Sequence, residues 1–269
     1  MQKSCKLASV CLSLGISTIA AAGTMGPAVQ SESWYLTGGA GASWSNDADI
    51  TVDSTIWDFS NQGYSDNLGS SALLFFGVGR YITDYLRVDA RFEHRGDYDY
   101  SRYQTGANTG VTGFTGDERT RKFKLDSNSV MVNGWVDLGT LNSKLLWQVG
   151  TFSVQPFVGA GIGVDYLNVK DFRTITAPFG AGRTEIASVN QTSTDSEFAW
   201  RVGAGLTAQL TQRTSLAIGY DYFDGGNIPF PDYILSSLSA PSGRTGVNVT
   251  PWKGSFTANE VYAELRVLI

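Results

Sequence analysis

Between residues 155 and 222 apolar side chains fall on every second position. Val158, Ala160, Ile162, Val164 and Tyr166 form one series, and Phe198, Trp200, Val202, Ala204, Leu206 and Ala208 form another. Glycine and polar residues take the positions between them. A period of two is the signature of a strand with unlike faces. The same pattern recurs along the chain and predicts eight strands: residues 34–43, 71–82, 85–96, 126–138, 154–168, 197–210, 214–224 and 256–269. The third is the clearest. Leu86, Val88, Ala90 and Phe92 lie on one face, with Arg87, Asp89, Arg91, Glu93 and Arg95 on the other. The eighth places Val261, Ala263, Leu265, Val267 and Ile269 opposite Glu260, Tyr262, Glu264 and Arg266.

The connections alternate in length. Those after the first, third, fifth and seventh strands are long and polar, at about residues 44–70, 97–125, 169–196 and 225–255. Those after the second, fourth and sixth are shorter. Most of the prolines fall in the last long loop, as they must if central strands exclude them. Apolar faces on strands of ~10 residues, with every long loop at one end, predict an all-β, antiparallel up-and-down transmembrane β-barrel. The expected strand count is eight, or ten if the first or second loop hides a hairpin.

In such a barrel the charged faces point inward. Arg87, Asp89, Arg91, Glu93, Arg95, Asp137, Asp165, Glu197, Arg201, Asp221, Glu260, Glu264 and Arg266 then form a lumen charge network. An eight-stranded interior is just wide enough for side chains to fill. Unpaired buried charge is costly, so these residues are expected to pair, plug the lumen and leave little conductance. The alternative is a narrow pore for small solutes or ions. Arg80 departs from its strand's pattern and is expected at a membrane interface, beside the Thr83-Asp84 turn.

The first residues carry a different signal. Lys3 and Lys6 precede a short apolar run that ends at Ala20, Ala21 and Ala22, which predicts a signal peptide over 1–22. Residues 23–33 read as a periplasmic lead. Removing 1–22 takes two lysines and no acids, so the balance shifts from 20 − 25 = −5 to 18 − 25 = −7. An acidic body argues against nucleic-acid binding. Both cysteines, Cys5 and Cys11, lie in the signal. With one histidine and no mature cysteine, no metal-ligand spacing is evident and no cofactor is expected.

Four cations, Arg119, Arg121, Lys122 and Lys124, precede the fourth strand. At an outer surface they could grip phosphates or sulfates; Asp117 and Glu118 beside them also fit a solvated, internally neutralised extension. His94 is followed by Gly96 two residues on, where a lipid-modifying barrel would carry serine, so enzyme activity is not expected. The GAGIG and VGAGL runs lie within strands, where glycine relieves crowding and no phosphate-binding helix follows. Tryptophan and tyrosine near both strand ends, including Trp34, Tyr35, Tyr81, Tyr85 and Trp135 at the short-turn end, are expected in two interfacial belts.

The segments PFVGAGIGVDY, WRVGAGLTAQLTQRTSLAIGYDYF and VYAELRVLI resemble the eight-stranded outer-membrane barrels of Gram-negative bacteria, which include the OmpA transmembrane domain and opacity-type surface proteins. The resemblance spans nearly all of the mature chain. It implies residence in the cell outer membrane, with outer-membrane lipid, lipopolysaccharide and the barrel-assembly machinery as partners. It also implies an assembly signal at Val261, Ala263, Leu265, Val267 and Ile269, ending in isoleucine where the family usually has an aromatic. The fold hosts many functions. The leading expectation is a structural or surface-interaction barrel whose loops bind host (including glycan), envelope or environmental ligands.

Overall fold

The computed structural model describes residues 33–52, 67–104, 118–177, 186–187, 191–231 and 252–269. The expected signal peptide and all of the lead except Ser33 lie outside them. Eight strands form the wall: β1 (Trp34–Ser45), β2 (Ser70–Tyr81), β3 (Leu86–Gln104), β4 (Glu118–Asp137), β5 (Phe152–Ala177), β6 (Gln191–Gln209), β7 (Thr214–Asn227) and β8 (Ser255–Leu268). Each pairs antiparallel with its sequence neighbours, and β1 pairs with β8 to close the ring. The barrel is therefore eight-stranded. A two-residue strand, Ile186–Ala187, and a three-residue strand, Trp147–Val149, pair onto β5.

Alternation holds throughout the wall. On β8, Tyr262, Glu264 and Arg266 are buried, while Val261, Ala263, Leu265, Val267 and Ile269 are exposed. Inward glycines make room for their neighbours. A Cβ at Gly203 would collide with the Asp221 carboxylate, and one at Gly79 with the Tyr35 ring. Two of the short turns are closed by threonine hydroxyls. Thr83 Oγ1 accepts from Leu86 N–H at 3.0 Å, and Thr211 Oγ1 accepts from Thr214 N–H at 3.0 Å.

The wall is much taller on one side. β3, β4, β5 and β6 have 19, 20, 26 and 19 residues, against 12 for β1 and β2 and 14 for β7 and β8. A membrane crossing needs only ~9–11. This corrects the expected loops at 97–125 and 169–196, since both begin and end as strand. The sequence pattern hid the continuation for two reasons. Asp97 and Asp171 adopt left-handed backbone conformations (φ 55° and 53°) at irregularities in the ladders, and the extra residue shifts the in–out parity. On β3 the inward residues turn apolar beyond that point, and on β5 they do so from Leu167, shortly before it.

That apolar interior fills the long-loop end. Tyr98 and Tyr100 of β3, Phe123 and Leu125 of β4, and Leu167, Val169 and Phe172 of β5 are buried there. Ala48, Ile50 and Leu68 join them from the β1–β2 connection, as do Ile228, Phe230 and Trp252 from the β7–β8 connection. The two connections clasp each other through a short pairing of Thr51–Val52 with Trp252–Lys253 and a Ser255 N–H to Ala48 carbonyl bond of 2.9 Å.

The expected inner aromatic belt needs correction. Trp34 and Tyr85 are exposed, but Tyr35, Tyr81 and Trp135 are buried inside the barrel because their positions have inward parity. Arg80 is half-buried on the outward face, its guanidinium 5.7 Å from the centre of the Trp34 ring.

Candidate functional site: the filled lumen and its outer cap

On β3 basic and acidic residues alternate along one inward face, as Arg87, Asp89, Arg91, Glu93 and Arg95. Each acid therefore stands between two guanidiniums. Asp89 collects the lower ones. It accepts from Arg91 Nε at 2.9 Å, Asn133 Nδ2 at 2.8 Å, Tyr35 OH at 2.9 Å and Trp135 Nε1 at 3.0 Å. Arg91 also reaches Glu264 of β8 at 3.1 Å, and Glu264 in turn holds Arg266 at 3.1 Å. Higher up, Arg95 binds Glu93 at 2.7 Å and Glu260 at 2.5 Å. Arg201 of β6 bridges Glu93 to Asp221, the latter at 2.9 Å. The pairs thus tie β3 across the lumen to β6, β7 and β8, and every one of these side chains is buried.

Two other charges fill the ends of the layer. Arg87 lies 3.6 Å from Asp137 and 3.7 Å from Asp89, with the rings of Trp135 and Phe157 each 5.2 Å away. Asp165 accepts from the Ser127 hydroxyl at 2.9 Å and makes no ion pair among the described residues.

Twelve of the thirteen expected lumen residues are brought into this buried interior. Glu197 is not. It is half-exposed at the rim, where Asn227 donates to it at 3.4 Å. Its position explains the difference: β6–β7 pairing ends at Trp200 and Asp224, so Glu197 stands above the last rung on that side.

Arg95 joins the charged layer to the apolar one. Its guanidinium sits 3.7 Å from the centre of the Phe223 ring, and Phe223 belongs to the aromatic cap. Tyr98 hydroxyl donates to Ser43 at 2.6 Å, and Ser43 donates to Glu260 at 2.8 Å. Above this seam the rings pack edge to face. Phe123 lies 5.3 Å from Phe230, Phe172 is 4.9 Å from Trp252, and Tyr98 is 5.1 Å from Phe256. Nothing in the sequence pattern singled out these residues, although the buried-parity spacing of Tyr98 with Tyr100, and of Phe123 with Leu125, is a signal for them.

The basic run lies on β4 beyond the lipid-facing band. Lys124 stands 3.6 Å from Asp97 and 3.7 Å from Asp99, and these carboxylates, Asp99 foremost, hold its ammonium above the usual lysine range. Burial alone would raise the nearby Asp126 carboxyl. Hydrogen bonds from Lys170 and from the Asp97 amide outweigh that and bring it below the usual range. In register, Arg102 faces Arg121 across β3–β4, and Lys122 faces Arg173 across β4–β5. Arg119 faces Gln104 and Thr176. His94 Nδ1 lies 2.8 Å from Asn128 Oδ1, on the outward face. Among the described residues no group of three or more acids, histidines or cysteines could hold a metal ion.

A closed ring of strands with an apolar exterior and a charged interior defines a transmembrane β-barrel. The chain belongs to the outer membrane protein beta-barrel domain family, whose model matches residues 8–249. It is an outer-membrane barrel, a class whose short turns lie in the periplasm and whose long loops lie outside. No curated protein matches it. Among solved structures it is similar to Neisserial surface protein A, at 14% identity over 89% of this chain and 100% of that one, with a TM-score of 0.41. It is also similar to the outer membrane protein OprG from Pseudomonas aeruginosa (12%, 88% and 97%, TM-score 0.40). A third is the attachment invasion locus protein Ail of Yersinia pestis (12%, 87% and 99%, TM-score 0.33).

Proposed function

We propose that this protein is a non-conducting, non-enzymatic surface-interaction barrel. Its outer end would present a rigid binding surface above the membrane. The observation that carries this reading is the continuation of β3 to β6 past the lipid-facing band, around an apolar core that covers a lumen already filled with paired charge. A pore would leave a path, and a display scaffold gains from a packed end that holds its loops still. The ligand class that fits best is a polyanion, such as a sulfated glycan or the phosphates of lipopolysaccharide. The pairing register sets Arg102 opposite Arg121 and Lys122 opposite Arg173, which gathers basic positions on adjacent strands at the outer end. His94 supports the non-enzymatic reading, because its partner is an amide rather than a nucleophilic hydroxyl.

The test is retention of a sulfated polysaccharide by vesicles carrying the folded protein. The doubly substituted Arg121→Glu/Lys122→Glu protein should lose retention, and 0.5 M salt should weaken it in the unaltered protein because screening lengths shrink. Equal retention by vesicles without protein would sink the polyanion reading.

A further inference from the structure

The three periplasmic links differ in a way the barrel does not require. The β2–β3 and β6–β7 links are four residues each, at 82–85 and 210–213. The β4–β5 link instead holds a helical turn (Leu138–Leu141), a 3-10 turn (Ser143–Leu145) and the short strand Trp147–Val149 before β5 begins at Phe152. Lys144 is the only charged residue from 138 to 156. Apolar side chains there are open to the surroundings: Leu141 is 54% exposed, Trp147 44%, Val149 60% and Phe152 42%.

Register decides which way this hairpin faces. Trp147 pairs with Val154 and Val149 with Phe152, while Gln148 pairs with Ser153. Val154 has the same parity on β5 as Val158, Ile162 and Val164, which face lipid. Ser153 is buried on the inward side and accepts from Gln148 Nε2 at 2.8 Å. Below Asp137, where β4 leaves β5, the strand Trp147–Val149 takes over as its partner. The hairpin therefore prolongs the lipid-facing wall toward the periplasm, with Trp147, Val149 and Phe152 on its apolar face.

We propose that residues 138–152 are an interfacial anchor resting in the inner leaflet of the outer membrane. Trp147, Val149 and Phe152 meet the acyl–headgroup boundary, and Lys144 reaches lipid phosphates. Two observations select a lipid surface as the occupant. The apolar face is continuous with one that already lies in the membrane. The segment's lone charge is a cation beside tryptophan and leucines, the composition that partitions into a headgroup region.

Site-directed spin labelling tests this in the full-length protein with Cys5→Ser and Cys11→Ser, folded into phosphatidylethanolamine–phosphatidylglycerol vesicles. Labels are placed at Val149→Cys and Gln148→Cys, with Val158→Cys as the lipid reference and Gln212→Cys as the aqueous one. The label at 149 should follow 158, with high oxygen collision and a loss of nickel-chelate collision, and the label at 148 should follow 212. If Val149→Cys fails to give the heat-modifiable folded form, Trp147→Cys reads the same face. Nickel-chelate access at 149 or 147 equal to that at 212 would overturn the proposal. Dipolar broadening there that vanishes on dilution with unlabelled protein would overturn it too, because a second copy and not lipid would then cover the face.

Discussion

Within the lipid-facing band the inward residues of β3 are Arg87, Asp89, Arg91, Glu93 and Arg95. A single bulge further along the same strand they are Tyr98 and Tyr100. β5 changes in the same way, from Asp165 to Leu167, Val169 and Phe172. The outward residues change in the opposite sense, from Ala90 and Phe92 to Asp97 and Asp99. What differs between the two levels is the surrounding solvent. Where hydrocarbon surrounds the wall, apolar residues go outside and the polar remainder fills the lumen. Where water surrounds it, the interior reverts to the apolar core of a soluble domain. The lower layer depends on matched partners, so removing one strands the other. The upper layer is held by non-directional burial and ring packing, so damage there stays local.

The sharpest way to break this comparison is Arg95→Ala. It takes from Glu260 its ion pair and from Glu93 one of two, since Glu93 keeps Arg201, and it removes the ring contact with Phe223. The expected loss is ~3–5 kcal/mol, read as a lower urea midpoint for unfolding from vesicles. Phe123→Ala comes next, at ~3 kcal/mol. Its effect should appear as faster amide exchange and protease cutting at the outer end, with the membrane-level wall unchanged. A loss that instead spread evenly through the barrel would merge the two layers into one cooperative unit. Asp165→Asn should cost only about 1 kcal/mol in the same urea titration, since Asp165 has one hydroxyl partner, Ser127, and no ion pair to lose among the described residues.

The smallest effect concerns pH. Because the folded-state carboxyl of Asp126 titrates below the usual range, its contribution is present above the unfolded-state pKa and is lost as pH falls through the lowered folded value. Lys170 is well exposed, so solvent screening leaves this contribution under ~1 kcal/mol. In acid titrations Asp126→Asn should flatten the slope slightly relative to the unaltered protein.

The lower layer was legible in the sequence and the upper one was not, for a physical reason. From Leu86 to Arg95, and again from Glu260 to Ile269, period-two alternation runs unbroken, so parity alone identifies the inward charges. At Asp97 and Asp171 an extra residue resets the parity, at the inversion of the polarity rule on β3 and shortly after it on β5. The stretches beyond on β3 and β5 therefore read as polar loops, although Tyr98 and Phe172 are core. Phe230 and Trp252 were hidden differently, because they belong to a proline-bearing connection with no strand period to place them. Tyr35, Tyr81 and Trp135 show a further limit. Aromatics near strand ends suit an interfacial belt, but inward parity overrides that preference.

Single-channel recording in planar bilayers tests the filled lumen most directly. The charged layer occupies the interior without help from the cap, so both the unaltered protein and the Phe123→Ala protein should give a flat baseline. Stable, resolved conductance steps from the unaltered folded protein would contradict the account.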